Sequence, residues 1–165
     1  NVSWMLAQRC GGVAEHVFTP VVVENAAARA ALLQDSKIVS ALEKAARCDV
    51  GLVGIGEVSE EMLLVLLGYC GAEVVRDLRT KGAVGDIIGH FFDIQGRPVP
   101  YEIDDRLVAL SLNQLQAIPT RIAVAGGLEK SEAIVGALRG AHVNVLITDA
   151  ETAQAVLRKA TSLTP

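Results

Sequence analysis

Basic residues are few and nowhere grouped: 15 lysines and arginines stand against 19 aspartates and glutamates, for a formal charge of -4 over 165 residues. Holding a nucleic-acid backbone requires clustered Lys and Arg that displace counterions, so this segment does not bind DNA by itself. Cysteine is equally scarce. Cys10, Cys48 and Cys70 are odd in number, widely spaced and without a Cys-x-x-Cys pair, which excludes a disulfide framework and a thiolate zinc site and suits reduced thiols in a cytoplasmic protein. The longest apolar run, Met62 to Leu67, falls far short of the roughly 20 residues that cross a bilayer. No signal-peptide pattern is visible, so a soluble protein without a membrane partner is expected. His16, His90 and His142 share no ligand spacing, and neither a Gly-x-Ser-x-Gly elbow nor a His-Glu-x-x-His helix occurs. Hydrolase and metalloprotease chemistry therefore lack their parts, and no cofactor is expected.

Aromatic residues make up only 4% of the chain, while Ala, Val, Leu and Gly dominate. That composition suits helices packed on a near-continuous buried parallel sheet better than a sandwich of alternating strands. The expectation is an α/β fold: a Rossmann-like, mainly parallel sheet flanked by helices, in one domain spanning 1–165. Val2 to Cys10 reads as a helix ended by Gly11, with Val2, Trp4, Met5 and Leu6 on an apolar face that seldom begins a complete domain. His16 to Val23 reads as extended, with Pro20 placing part of it outside a central strand. Ala26 to Gln34 reads as a short helix. Asp35 and Ser36 cap a further helix, Ile38 to Arg47, whose Ile38, Val39, Leu42, Ala45 and Ala46 keep helical spacing. Asp49 to Ile55 is the clearest buried strand. Two helices are expected at Glu60 to Gly68 and Ala72 to Lys81, then a strand from Asp86 to Phe92. A turn at Asp93-Ile-Gln-Gly96 returns Arg97 to Val99 as a hairpin arm. Arg106 to Leu110 reads as a strand and Leu112 to Ala117 as a short helix.

The run from Arg121 to Asp149 is the most informative. Arg121-Ile-Ala-Val-Ala-Gly-Gly-Leu-Glu-Lys130 reads as a buried strand, a two-glycine turn and the opening of a helix. Glycines at 126 and 127 let the backbone approach a ligand closely, amides at the helix start point toward it, and Lys130 adds positive charge. The alternative is a tight turn with a solvated lysine, and Glu129 opposes an anion there unless it points outward. A second strand, Val143 to Ile147, and a Thr148-Asp149 cap complete one βαβ unit. Gly54-Ile-Gly56 begins like a dinucleotide fingerprint, but Ser59 takes the third glycine's place and Glu57 stands where a pyrophosphate would. A nicotinamide site is excluded; Gly54 and Gly56 are expected as pocket wall. Asp86, after Gly82-Ala-Val-Gly85, could accept hydrogen bonds from sugar hydroxyls or cap its own turn. Asp104-Asp105-Arg106 reads as a polyol-binding set or as a surface salt bridge.

Taken in order, Gly54-Ile-Gly56, Gly82-Ala-Val-Gly-Asp86 with Phe91-Phe92-Asp93-x-x-Gly96, Asp105-Arg106, Ala125-Gly-Gly-x-x-Lys130 and Leu146-Ile-Thr-Asp149 resemble the sugar-binding effector domain of SorC-type transcriptional regulators. The resemblance extends to Leu6-Ala-Gln-Arg-Cys-Gly-Gly12 and Thr19-Pro-Val-Val22 and covers nearly the whole chain. It implies a fold similar to sugar-phosphate isomerases and deaminases, used for sensing rather than turnover. It also implies a phosphorylated sugar, with Gly126, Gly127 and Lys130 at the phosphate and Asp86 on the hydroxyls. Regulators of this family carry an N-terminal helix-turn-helix and a further phosphate-binding loop, neither of which is in this sequence. The chain is therefore expected to be a fragment of a homo-oligomeric regulator, dimeric or tetrameric, that meets DNA only through a domain outside it. Where many members are polar or basic, Leu66-Leu67-Gly68 is apolar. A sugar-phosphate isomerase or deaminase, with Asp86 or Asp105 as general base, is the competing expectation.

Overall fold

The computed structural model describes residues 2–162; Asn1 and 163–165, which the single-domain reading of 1–165 takes in, lie outside the described residues. Three helices come first: α1 (Val2–Cys10), α2 (Ala26–Leu32) and α3 (Ser36–Ala46). Gly11 ends α1 at φ +67°, and the Gly12 amide reaches back to the Ala7 carbonyl at 2.8 Å, a Schellman-type stop that needs a residue at ease in the left-handed region. Asn25 caps α2 through the Ala28 amide at 2.9 Å, and Asp35 caps α3 through the Lys37 amide at 2.8 Å. The extended run before α2 forms one antiparallel bridge, Val22 to Leu107.

Next come β1 (Val50–Gly54), β2 (Gly56–Glu57), α4 (Leu63–Leu66), α5 (Ala72–Thr80), β3 (Ala83–Ile87) and β4 (His90–Asp93). After a 3₁₀ turn at Glu102–Arg106 come α6 (Leu112–Ala117) and β5 (Thr120–Val124). Another 3₁₀ turn, Leu128–Lys130, leads into α7 (Ser131–Arg139), β6 (Val145–Ile147) and α8 (Ala150–Ser162). The strands form two sheets. β1, β5 and β6 run parallel in that order, with Leu52 opposite Ile122 and Ile122 opposite Val145. β2, β3 and β4 form an antiparallel sheet in which Gly56 faces Asp86. The α/β class and the helix-flanked parallel sheet stand as expected.

Four local expectations change. The strand expected at Asp86 to Phe92 is a hairpin, because Ile88 and Gly89 both take positive φ (+50° and +83°) as a two-residue primed turn demands. An isoleucine seldom occupies that region, so the turn left no mark in the sequence. The Glu60 to Gly68 helix shrinks to Leu63–Leu66, and Arg106 to Leu110 is the end of a 3₁₀ turn followed by the bridge at Leu107, not a strand. Finally, β1 is not buried on both faces. Val50 and Leu52 are 53% and 49% exposed, as are Val124 at 51% and Ile147 at 53%, so one face of the parallel sheet is uncovered by the described residues.

The covered face is packed to backbone contact. A Cβ on Gly85 would strike Ala133 of α7, and one on Gly96 would strike the Gly140 backbone. One on Gly136 would lie 2.6 Å from the Asp93 carbonyl oxygen. Phe92, Ile134, Ala137, Val143 and Val156 form the core between hairpin, α7 and α8. His142 is buried there; the Gln116 amide donates to its Nδ1 at 3.2 Å and its Nε2–H donates to the Gly96 carbonyl at 2.8 Å. Burial holds this ring below the ordinary imidazole range, although the Gly96 carbonyl draws it partly back.

Candidate functional site

The carboxyl ends of β1, β5 and β6 point to the same edge of the molecule, where open α/β sheets place their ligands. Beside that edge lies a cavity of about 450 Å3, walled by Gly54, Ile55 and Gly56 after β1, by Asp86, Ile88 and Gly89 from the hairpin, and by Leu63, Leu64 and Leu67 around α4. Among the sequence-expected site residues, Gly54, Gly56 and Asp86 therefore meet in one cavity.

Asp86 is held from two sides. Its Oδ2 accepts from the Gly89 amide at 3.0 Å, and Gly56 packs so closely that any side chain there would run into the carboxylate. Burial pushes the Asp86 carboxyl upward, while the Gly89 amide, His90 and Lys130 draw it partly back. Through that electrostatic contact Lys130 acts on Asp86, so the two ends of the expected site lie within range of one another. The turn reading of Asp86, capping its own backbone, and the ligand reading are compatible, because Oδ1 lies toward Gly56 at the cavity wall.

The two-glycine turn is more tied down than the sequence suggested. Gly127, at φ +113°, donates its amide to Thr152 Oγ1 at 2.8 Å. The Thr152 hydroxyl donates to Asp149 Oδ2 at 2.6 Å, and Asp149 Oδ1 accepts the Thr152 amide at 2.8 Å as the cap of α8. These bonds, the hydroxyl foremost, hold the Asp149 carboxyl below the usual range. A Cβ on Gly126 would lie 2.7 Å from Asp149 Oδ2. Glu129, the residue that opposes an anion, folds its carboxylate against Gly127. It also lines a separate cavity of about 320 Å3 with Glu57, Glu132 and Arg79. Thr152 was missed from sequence; its one signal is its place three residues after a capping aspartate.

Asp105 and Arg106 are not brought into the cavity. Asp105 is exposed. Arg106 Nη2 donates to the Tyr69 carbonyl at 3.3 Å and so braces a residue of the cavity wall. Its neighbour Asp104 accepts from the Tyr101 amide at 2.8 Å and meets His90 Nδ1 at 2.9 Å. Burial would raise the Asp104 carboxyl, but the His90 and Tyr101 contacts outweigh it and hold it low. Among the described residues no group of three or more His, Cys, Asp or Glu side chains could hold a metal, and no helix is long and apolar enough to cross a membrane.

Residues 1–158 match the family model described as "Putative sugar-binding domain". The chain belongs to this sugar-binding domain family. Over 142 residues it is 39% identical to the transcriptional regulator LsrR of Escherichia coli K12, which covers 84% of the chain and 45% of LsrR. It is 38% identical over 138 residues to the deoxyribonucleoside regulator of Bacillus subtilis, covering 84% of the chain and 44% of that protein. The chain thus spans about half the length of these curated relatives. Among solved structures, a DeoR family transcriptional regulator from Listeria monocytogenes superposes with a TM-score of 0.86 at 29% identity, over 93% of this chain and 62% of that one. The full-length sorbitol operon regulator SorC from Klebsiella pneumoniae gives 0.86 at 27% identity, over 93% and 50%. The resemblance to SorC-type regulators and the α/β architecture are thereby established, and the relatives are regulators of transcription.

Proposed function

We propose that this sugar-binding domain senses a phosphorylated sugar, with Asp86 on the hydroxyls and Lys130 at the phosphate beside the Gly126-Gly127 turn. What carries the reading is Asp86: a buried carboxylate that lines a cavity at the carboxyl edge of a parallel sheet, with Lys130 close enough to act on it. A buried carboxylate is costly unless its lone pairs are used, and sugar hydroxyls supply donors for the oxygen that the Gly89 amide leaves free. Ligand binding shifts the balance between two subunit arrangements and thereby the affinity of a DNA-binding domain outside this chain. Gly54 and Gly56 serve as wall, and Asp105 and Arg106 as support from outside.

The test is a thermal-shift titration of wild type, Lys130→Ala and Asp86→Asn with ribose 5-phosphate, glucose 6-phosphate and sorbitol 6-phosphate beside their unphosphorylated parents. Selective stabilisation by a phosphorylated member, lost in both variants, is expected; no stabilisation by any member sinks the reading. Isomerase or deaminase chemistry is the competitor. It requires an acid and a base converging on substrate, and the cavity wall carries Asp86 as its single carboxylate with no imidazole or amine. Interconversion of an aldose and a ketose phosphate, abolished by Asp86→Ala, would favour the enzyme instead.

A further inference from the structure

Thr152 is 1% exposed, yet it carries a hydroxyl in a region otherwise filled by Ala133, Val135 and Val156. A buried hydroxyl is retained without penalty only where it has partners, and here both are used for one purpose. Its oxygen accepts the Gly127 amide at 2.8 Å and its proton goes to Asp149 Oδ2 at 2.6 Å. Asp149 is fixed in turn by the Thr152 amide at 2.8 Å and rests against Gly126, where only a glycine leaves it room. The start of α8 is in this way bonded to both glycines of the turn that precedes Lys130.

We propose that Thr152 and Asp149 are positioning residues: a hydroxyl–carboxylate pair that holds the Gly126-Gly127 turn, and through it Lys130, in the conformation that receives the phosphate. This rests on the phosphosugar reading above. It also changes the part given to Gly127, whose amide faces Thr152 and is a structural donor rather than a ligand contact. Asp149 supplies a discriminating sign. As a bare negative charge beside an anion site it would weaken phosphate binding, and its removal would tighten it. As a positioning residue it strengthens binding, and its removal weakens it.

The experiment measures, by calorimetry on the full chain, the affinity of the tightest-binding sugar phosphate of the panel and of its unphosphorylated parent. Wild type is compared with Thr152→Val, Thr152→Ser and Asp149→Asn. Loss of one charge-assisted hydrogen bond predicts a roughly 10-fold weaker sugar phosphate with Thr152→Val, restored by Thr152→Ser to within about 3-fold, while the parent sugar is unchanged. Asp149→Asn, which keeps the volume and so tests the pair even if Thr152→Val does not fold, is expected to weaken the phosphate ligand in the same direction. Tighter binding by Asp149→Asn, unchanged binding by Thr152→Val, or equal losses for phosphorylated and parent sugar would each overturn the proposal while leaving the phosphosugar site intact. If wild type binds no member of the panel, the functional reading itself falls, and this proposal with it.

Discussion

Residues 2–47 and residues 83–160 obey the same local rules and end in opposite states. α1, α2 and α3 have good stops and caps, and not one of their described residues is buried. α7 is shorter than α3, yet six of its nine residues are buried. The difference lies in what each helix meets. α7 lies on a hairpin through Gly85, Gly96 and Gly136, where backbone approaches backbone, while α3 offers Ile38, Val39 and Leu42 to a groove that leaves them half-exposed. Helix formation is a local matter of caps and propensity, whereas burial depends on a partner surface.

The strongest way to break this contrast is to empty one side chain in each region. Phe92 is fully buried, its ring 5.2 Å from that of His142, while Phe18 is 88% exposed. Phe92→Ala is expected to lower unfolding free energy by about 3–5 kcal/mol and Phe18→Ala by less than about 0.5 kcal/mol, read from urea midpoints. Similar losses would mean that the N-terminal segment has a core of its own. Next comes backbone contact. Gly96→Ala places a methyl against the Gly140 backbone at φ +77° and should cost about 2–4 kcal/mol. Gly12→Ala, whose nearest neighbour would be 4.0 Å away at the Ala7 oxygen, should fall within about 0.5 kcal/mol.

The same contrast marks what could be read from sequence. Leu112 to Ala117, the Gly11 stop and the Asp35 cap were legible because capping chemistry is local. The β5–α7–β6 unit was legible because apolar runs and paired glycines punctuate it. The hairpin at Ile88-Gly89 was not, since an isoleucine at positive φ is imposed by the strands on either side. Nor was the exposure of Val50 and Leu52, because an apolar run says that a strand seeks cover and not whether it finds it. At the site, Gly54, Gly56 and Asp86 were placed together correctly by the rule that ligands gather at strand carboxyl ends. Asp105 was misplaced by one residue from the aspartate that forms contacts, Asp104, because adjacent residues on a 3₁₀ turn face different ways. The hydroxyl of Thr152 was hidden because its partner lies 25 residues away.

Two buried ionisable groups in the dense region should respond to pH with opposite signs. Asp86 is raised by burial, so the stability associated with its neutral form is present below the ordinary aspartate range and lost as pH rises through the raised folded value. Asp86→Asn is therefore expected to stabilise the ligand-free protein at pH 7 by on the order of 1 kcal/mol, with the advantage fading toward pH 4. His142 is lowered by burial, so its contribution is full above about pH 6.5 and is lost as pH falls through the folded value, by at most about 1.4 kcal/mol per pH unit. Urea midpoints from pH 4 to 8, with His142→Gln as the flat control, measure both. A destabilised Asp86→Asn would show that the carboxylate supports the fold rather than burdening it.

The smallest effect sharpens the comparison from its other side. Glu15 and Lys44 meet at 2.7 Å and tie the coil after α1 to α3, but their side chains are 62% and 58% exposed. Water screens such a pair and two long side chains lose freedom in forming it, so the Coulomb gain nearly cancels. A double-mutant cycle with Glu15→Gln and Lys44→Gln is expected to give a coupling of about 0.2–0.5 kcal/mol that shrinks further in 1 M salt. A coupling above about 1.5 kcal/mol would mean that charge, not burial, organises residues 2–47. A value near zero would leave that segment to be held by helix caps and its half-buried apolar faces, which is what the absence of any buried residue in α1, α2 and α3 implies.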